Sequence, residues 1–275
     1  MRSHCNENMP DSNLPMPFTA VVLAGERGPG DPLVRQTGAC CKAMIEVEGT
    51  PMILRVLQAL DTATRVNTRL ISGPERDQLE AHPALNRLIT EQAVKWHAPR
   101  PTPSTSAFHT MQTIPDASPV LVTTADHPLL TAAMVDEFCT RSQEHDCDVT
   151  VGLAPYGIVK QAYPDMKKTV LKFRDGNYCG TNLFAFLTAR GRQLADFWRR
   201  VESQRKSPLR LIRVLGWGAV LRYLLGVLTL DTALELLSRR LNLRIGAIVL
   251  PHADAAVDID SVADHTIVQK KLAGD

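Results

Sequence analysis

Two short runs constrain the fold more than anything else in the chain. Phe18-Thr-Ala-Val-Val-Leu-Ala-Gly25 and Pro119-Val-Leu-Val-Thr-Thr-Ala125 are apolar without alternation, so a strand built from either buries both of its faces. Strands of that kind belong to a parallel sheet covered by helices. The segments between them agree. Pro51 opens a helix to about Ala63, with Met52, Val56, Leu57 and Leu60 on one face. Arg69–Ser72 reads as a strand, and a helix follows around Glu75–Glu80. Thr131 caps a helix to about Glu144, and Asp148–Leu153 is a further strand. The expected fold is α/β, with a mostly parallel central sheet flanked by helices and an extra helical segment near the C-terminus.

The expected organisation is a loose tail over 1–17 and one domain over 18–275, with a helical insertion at about 191–243. Helices are expected over Gly191–Ser203, Leu209 to about Leu228, and Asp231–Leu241, then a strand Ile245–Leu250 and a last helix Ser261–Leu272. Charge is uneven. The chain carries 31 Lys and Arg against 29 Asp and Glu, too balanced for a protein that coats nucleic acid. Between Asp196 and Arg244, however, ten basic residues face four acidic ones. Arg205, Lys206, Arg210 and Arg213 flank Leu-, Trp- and Tyr-rich stretches there, which raises the expectation of a peripheral membrane-surface contact through 203–243. The apolar run Val214–Leu230 is short for a spanning helix and holds Arg222. The polar N-terminus has no apolar stretch of the secretory kind, and the six cysteines form no C-x-x-C pair, so a reducing cytoplasm is expected.

Four places could carry chemistry. Leu23-Ala-Gly-Glu-Arg-Gly28 ends a buried strand in a glycine turn whose amides suit phosphate oxygens, with Arg27 and Lys42 to neutralise their charge. The turn is neither a G-x-x-x-x-G-K-[ST] loop nor a G-x-G-x-x-G fingerprint. Asp126 follows the second buried strand directly, at the carboxyl edge where open α/β sheets place ligands, and suits a divalent cation. Asp258-Ile-Asp260 puts two carboxylates on one face by alternation, as a second arm to that cation or as ordinary caps of the next helix. Pro101-Thr-Pro-Ser-Thr-Ser106 sets Ser104 and Ser106 at a helix start, for capping or for contact with a nucleotide.

Taken in order, these segments resemble the MobA-like NTP transferases, the molybdenum-cofactor guanylyl- and cytidylyltransferase type with a GT-A-like fold. The resemblance rests on Leu23–Gly28 with Lys42 downstream, Gly49-Thr-Pro-Met52, Pro103–Ser106, Ala125-Asp-His-Pro-Leu129, Gly180-Thr-Asn182 and Val257–Ser261. It implies a nucleotidyltransferase that moves a nucleoside monophosphate from an NTP to a small phosphorylated acceptor and releases pyrophosphate. By this resemblance the nucleotide lies along Leu23, Ala24, Gly25, Glu26, Arg27, Gly28, Lys42, Ser104, Ser106 and Ala125. Lys42, Arg27 and Asp126 are the catalytic residues. Asp126, Asp258 and Asp260 hold Mg²⁺ (or Mn²⁺), and Thr181 and Asn182 meet the acceptor. Two other readings stay open. A catalytically silent GT-A-like regulator is kept open by Glu26, which stands where the family loop carries a second glycine. A glycosyltransferase of the same fold class calls for a D-x-D motif at a strand end near the middle of the sequence; the two such motifs here are Asp146-Cys-Asp148 and Asp258-Ile-Asp260.

Overall fold

A computed structural model describes residues 15–25, 30–80, 82–202 and 217–274, with the side chains of 199–202 outside that description. The expected tail over 1–17 therefore falls almost wholly outside it, as do Glu26, Arg27 and Gly28 of the glycine turn. The two runs that are apolar on both faces form the inner strands, β1 (Phe18–Leu23) and β6 (Val120–Thr124), and they pair in parallel. Around them lie β4 (Val66–Ser72), β5 (Lys95–His97), β7 (Val149–Pro155), β8 (Leu171–Phe173), β9 (Gly176–Phe186) and β10 (Ile245–Val249). The sheet order is β10-β7-β9-β6-β1-β4-β5, with β8 hairpinned on β9. Every neighbouring pair is parallel except those made by β9, which runs antiparallel to β6, β7 and β8. A minor hairpin, β2 (Glu46–Val47) with β3 (Thr50–Pro51), stands apart.

Helices cover both faces of the sheet: α1 (Pro32–Thr37), α2 (Met52–Thr62), α3 (Arg76–Glu80), α4 (Pro83–Thr90), α5 (Pro103–Met111), α6 (Ala132–Glu144), α7 (Tyr156–Ala162), α8 (Ala189–Glu202), α9 (Trp217–Leu224), α10 (Leu230–Leu241) and α11 (Val262–Ala273). The apolar face of α2, with Met52, Ile53, Val56, Leu57 and Leu60, is buried, and all of these but Met52 join the main core beside Val22, Leu121 and Phe138. Thr131 caps α6 by accepting the Met134 N–H at 3.3 Å, as its place before an apolar-periodic run requires.

Some boundaries differ from expectation, for local reasons. Helix α5 begins at Pro103 and takes in Ser104 and Ser106, because Thr102 accepts the Thr105 N–H and proline is tolerated in the first turn. The single helix expected over Leu209–Leu228 is described only as α9; residues 203–216 lie outside the described segments, and the helix stops at a turn through Gly226, φ +68°. Sequence reading has no counterpart for β9. Its glycines and asparagines weaken the strand signal, and the register with β7 shifts between Val151 and Leu153. That strand shapes the cleft. Its outer half, with β7, runs past the ends of β1 and β6 and walls one side of the space above them.

Candidate active site

The chain leaves β1 for β4 on one side and comes back through β6 on the other, so a crevice opens where β1 and β6 end. The Ala24 N–H donates to Ser72 O and the Ala125 N–H to Leu23 O, both at 2.9 Å, which pins the turns after three strands into one floor. Gly73 makes that floor possible. It sits at φ +84°, and a Cβ there would come within 2.9 Å of Gly25 N and 3.0 Å of Ala24 O. A cleft of about 250 Å³ stands above, lined by Leu23, Gly25, Asp31, Lys42, Arg100, Ser106, Thr124, Asp126 and Asp260, among others.

Lys42 is the centre of the cleft. The loop after β1 passes through α1, which Asp31 caps by accepting the Leu33 N–H, and turns at Gly38 (φ +70°) into a single 3₁₀ turn that begins with Lys42. Its ammonium donates to Asp126 Oδ2 at 2.6 Å and to Asp260 Oδ1 at 2.5 Å. Burial alone lowers the pKa of this ammonium, but Asp126 and then Asp260 outweigh it, so the net shift is upward and the group stays charged. The backbone fixes the partners as well, since the Ile259 N–H donates to Asp126 O at 3.0 Å. Asp126 Oδ1 is buried and accepts no hydrogen bond among the described residues.

Asp258 does not join this group. Its carboxylate pairs with the Lys168 ammonium and accepts from Asn182 Nδ2 at 3.3 Å. Burial raises its pKa, but the Lys168 charge and the hydrogen bonds it receives prevail and hold it below the usual carboxylate range. Alternation predicts one face and one cation for both late aspartates; two different lysines divide them instead. Among the described residues, no cluster of three or more His, Cys, Asp or Glu side chains gathers to hold a metal. Asn182 owes its aim to the shift between β7 and β9: its backbone is left-handed, φ +52°. Thr181 is 1% exposed, with its hydroxyl over Gly152 of β7, and lines the sheet rather than the cleft.

The serines divide in the same way. Ser106 Oγ accepts the Arg100 N–H at 2.9 Å at the cleft wall, whereas Ser104 is buried beside the Thr102 hydroxyl at 3.1 Å. Ala24 and Ala125 are buried in the floor. Three residues that shape this region carry no signal in the sequence: Lys168, Gly73 and Arg100. The exposed Arg100 lines the cleft, and its guanidinium makes no hydrogen bond or ion pair among the described residues. Nothing in spacing marks Lys168, since its partner is 90 residues away. A larger hollow of about 680 Å³ lies between α5, α8 and α10, but the buried Arg192 guanidinium on its wall is committed to the carbonyls of Met111, Ile114, Pro115 and Ser118.

The MobA-like NTP transferase domain matches residues 20–211. No curated protein matches the chain in sequence. Among solved structures, a hypothetical transferase from Thermus thermophilus is 26% identical with a TM-score of 0.75, covering 91% of this chain and 100% of its own. A CMP:2-keto-3-deoxy-manno-octonic acid synthetase complexed with CTP is 12% identical with a TM-score of 0.57, covering 94% of this chain and 99% of its own. The 2-C-methyl-D-erythritol 4-phosphate cytidylyltransferase from Thermus thermophilus is 15% identical with a TM-score of 0.55, covering 94% of this chain and 100% of its own. At those last identities the likeness is one of fold.

Proposed function

The chain belongs to the family of MobA-like NTP transferase domains, and on that premise we propose that it transfers a nucleoside monophosphate from an NTP to a small phosphorylated acceptor. The observation that carries the reading is Lys42, held by Asp126 and Asp260 beside Gly25 at the carboxyl ends of β1 and β6. The triphosphate lies against the Gly25 turn, and Lys42 exchanges a carboxylate for a phosphate oxygen. Ser106 fixes the loop that presents Arg100 to the nucleotide.

The two carboxylates fit a hard divalent cation. Asp126 has an unpartnered buried oxygen, and Asp126 and Asp260 already converge on one position of positive charge. They would hold Mg²⁺ (or Mn²⁺), which when bound neutralises charge on the triphosphate. The acceptor takes the other side of the 258–260 segment, where Lys168 and Asn182 meet Asp258. An acceptor phosphate oxygen attacks the α-phosphorus in line. The new O–P bond forms as the α–β bridging P–O bond breaks, and pyrophosphate leaves with that electron pair. No protein nucleophile is needed; the residues position the reactants and neutralise charge.

One neighbour of the same fold is a complex with CTP, so CTP heads the panel of nucleotides to test. The assay is pyrophosphate release from each of the four NTPs with phosphorylated polyols and sugars, with Asp126→Ala as control. The reading expects release that depends on both substrates. It further expects Lys168→Met to raise the acceptor KM at least tenfold with the NTP KM unchanged. Absence of release with every pairing, together with no NTP raising the melting temperature, would refute it.

A further inference from the structure

The described residues expose eight large apolar side chains, and six of them belong to one helix, the turn after it and the strand it packs on. Trp217 (70% exposed), Leu221, Leu224 (75%), Leu225 (66%) and Val227 belong to α9 and the turn after it; Leu171 belongs to β8. The two pieces are joined. The Lys172 N–H donates to the Tyr223 hydroxyl at 3.2 Å, the Tyr223 ring meets Phe173 edge-on at 5.9 Å, and the Arg174 N–H donates to Leu228 O at 2.9 Å. The result is a knuckle at the tip of the β8–β9 hairpin.

Charge surrounds it. Lys172, Arg174 and Arg222 are exposed, and none makes an ion pair among the described residues. The carboxylate of the hairpin turn, Asp175, is engaged in accepting the Leu230 N–H at 3.0 Å.

We propose that this knuckle docks the protein on an anionic lipid bilayer, with the apolar side chains in the interface and the three cations on lipid phosphates. Three observations favour a bilayer over other occupants. Apolar residues stand on successive positions of a turn, Leu224, Leu225 and Val227, so no single stripe faces a protein partner. The amides of Leu225, Gly226, Val227 and Leu228 all donate to carbonyls within the knuckle, at 2.9 to 3.2 Å, so the turn enters an apolar phase without an unsatisfied N–H. A second copy of the chain would bring a like-charged tip against this one, whereas anionic headgroups complement it.

The placement has a consequence for the cleft. Strand β9 runs from Gly176 at the tip to Asn182, which meets Asp258, six residue steps that span roughly 20 Å. Docking would hold the Asn182–Asp258 pair within that distance of the headgroups. The inference stands on the exposed tip and is independent of which reaction the cleft performs.

The test is flotation of the full-length chain with vesicles of phosphatidylcholine alone or mixed equally with phosphatidylglycerol. Binding is expected to the mixed vesicles at low salt, with release at high salt. Each cation near a charged surface is worth about fivefold, so the triple variant Lys172→Gln/Arg174→Gln/Arg222→Gln loses on the order of a hundredfold in partitioning. Leu221→Ser/Leu224→Ser loses at least tenfold, with an unchanged melting temperature showing that it is folded. Failure of the wild type to float, or equal flotation of both variants, would overturn the proposal. So would a dimer in light scattering that the serine variant dissociates, since a second copy would then own the patch.

Discussion

Replacing Lys42 with methionine removes the one positive charge between two carboxylates and leaves the methylene stem nearly intact. The ammonium lies 2.6 Å from Asp126 and 2.5 Å from Asp260, so the two oxygens are no more than about 5 Å apart. At an effective dielectric constant of about 20, their repulsion is about 3 kcal/mol once the lysine is gone. Asp260 is 48% exposed, and solvent screening reduces this to about 1–2 kcal/mol. Lys42→Met therefore melts about 3–6 °C below wild type at pH 7. Millimolar Mg²⁺ restores much of the loss at pH 7, but not in Lys42→Met/Asp126→Asn. Differential scanning fluorimetry with and without Mg²⁺ reads both outcomes. A variant that melts with the wild type, or equal Mg²⁺ stabilisation of the single and double variants, would refute the reasoning.

Two further outcomes are expected. Gly73→Ala forces a Cβ into the backbone of Ala24 and Gly25 at φ +84°, so unfolding in urea shows a loss of about 1–2 kcal/mol, and NTP affinity falls because the glycine turn is displaced. Asp148 joins the starts of β7, β10 and α8: it accepts the Arg244 N–H at 2.8 Å and the Thr188 hydroxyl at 2.9 Å. Burial raises its pKa, but the bonds from Arg244 and Thr188 prevail and lower it, so its contribution is complete above about pH 4 and lost as pH falls through the depressed value. Urea unfolding at pH 7 then shows Asp148→Asn less stable by about 2 kcal/mol, with the difference shrinking at pH 3.

The parts of this molecule legible in its sequence are those whose signal is local. Strands β1 and β6 announce themselves because burial of both faces removes all alternation, and Asp126 is legible because it directly follows one of them. Lys42 is singled out by family order, and it lines the cleft between Asp126 and Asp260. Strand β9 is not legible, because a bulge, two glycines and Asn182 blur its period; yet it carries Asn182 to Asp258. The separation of Asp258 from Asp260 is equally hidden, since alternation describes a strand and cannot say which lysine each carboxylate meets. Lys168 and Gly73 act through residues distant in sequence, on Asp258 and on the Ala24–Gly25 backbone, and carry no spacing signal.

Asp126 and Asp260 are proposed to define one cation position, which Lys42 fills until a nucleotide and its metal arrive. Anomalous diffraction from crystals grown with Mn²⁺ and a non-hydrolysable NTP analogue decides it. A manganese peak is expected at coordination distance from both carboxylates, with the Lys42 ammonium moved onto a phosphate oxygen. Nucleotide bound elsewhere, with Lys42 still between Asp126 and Asp260, would contradict it.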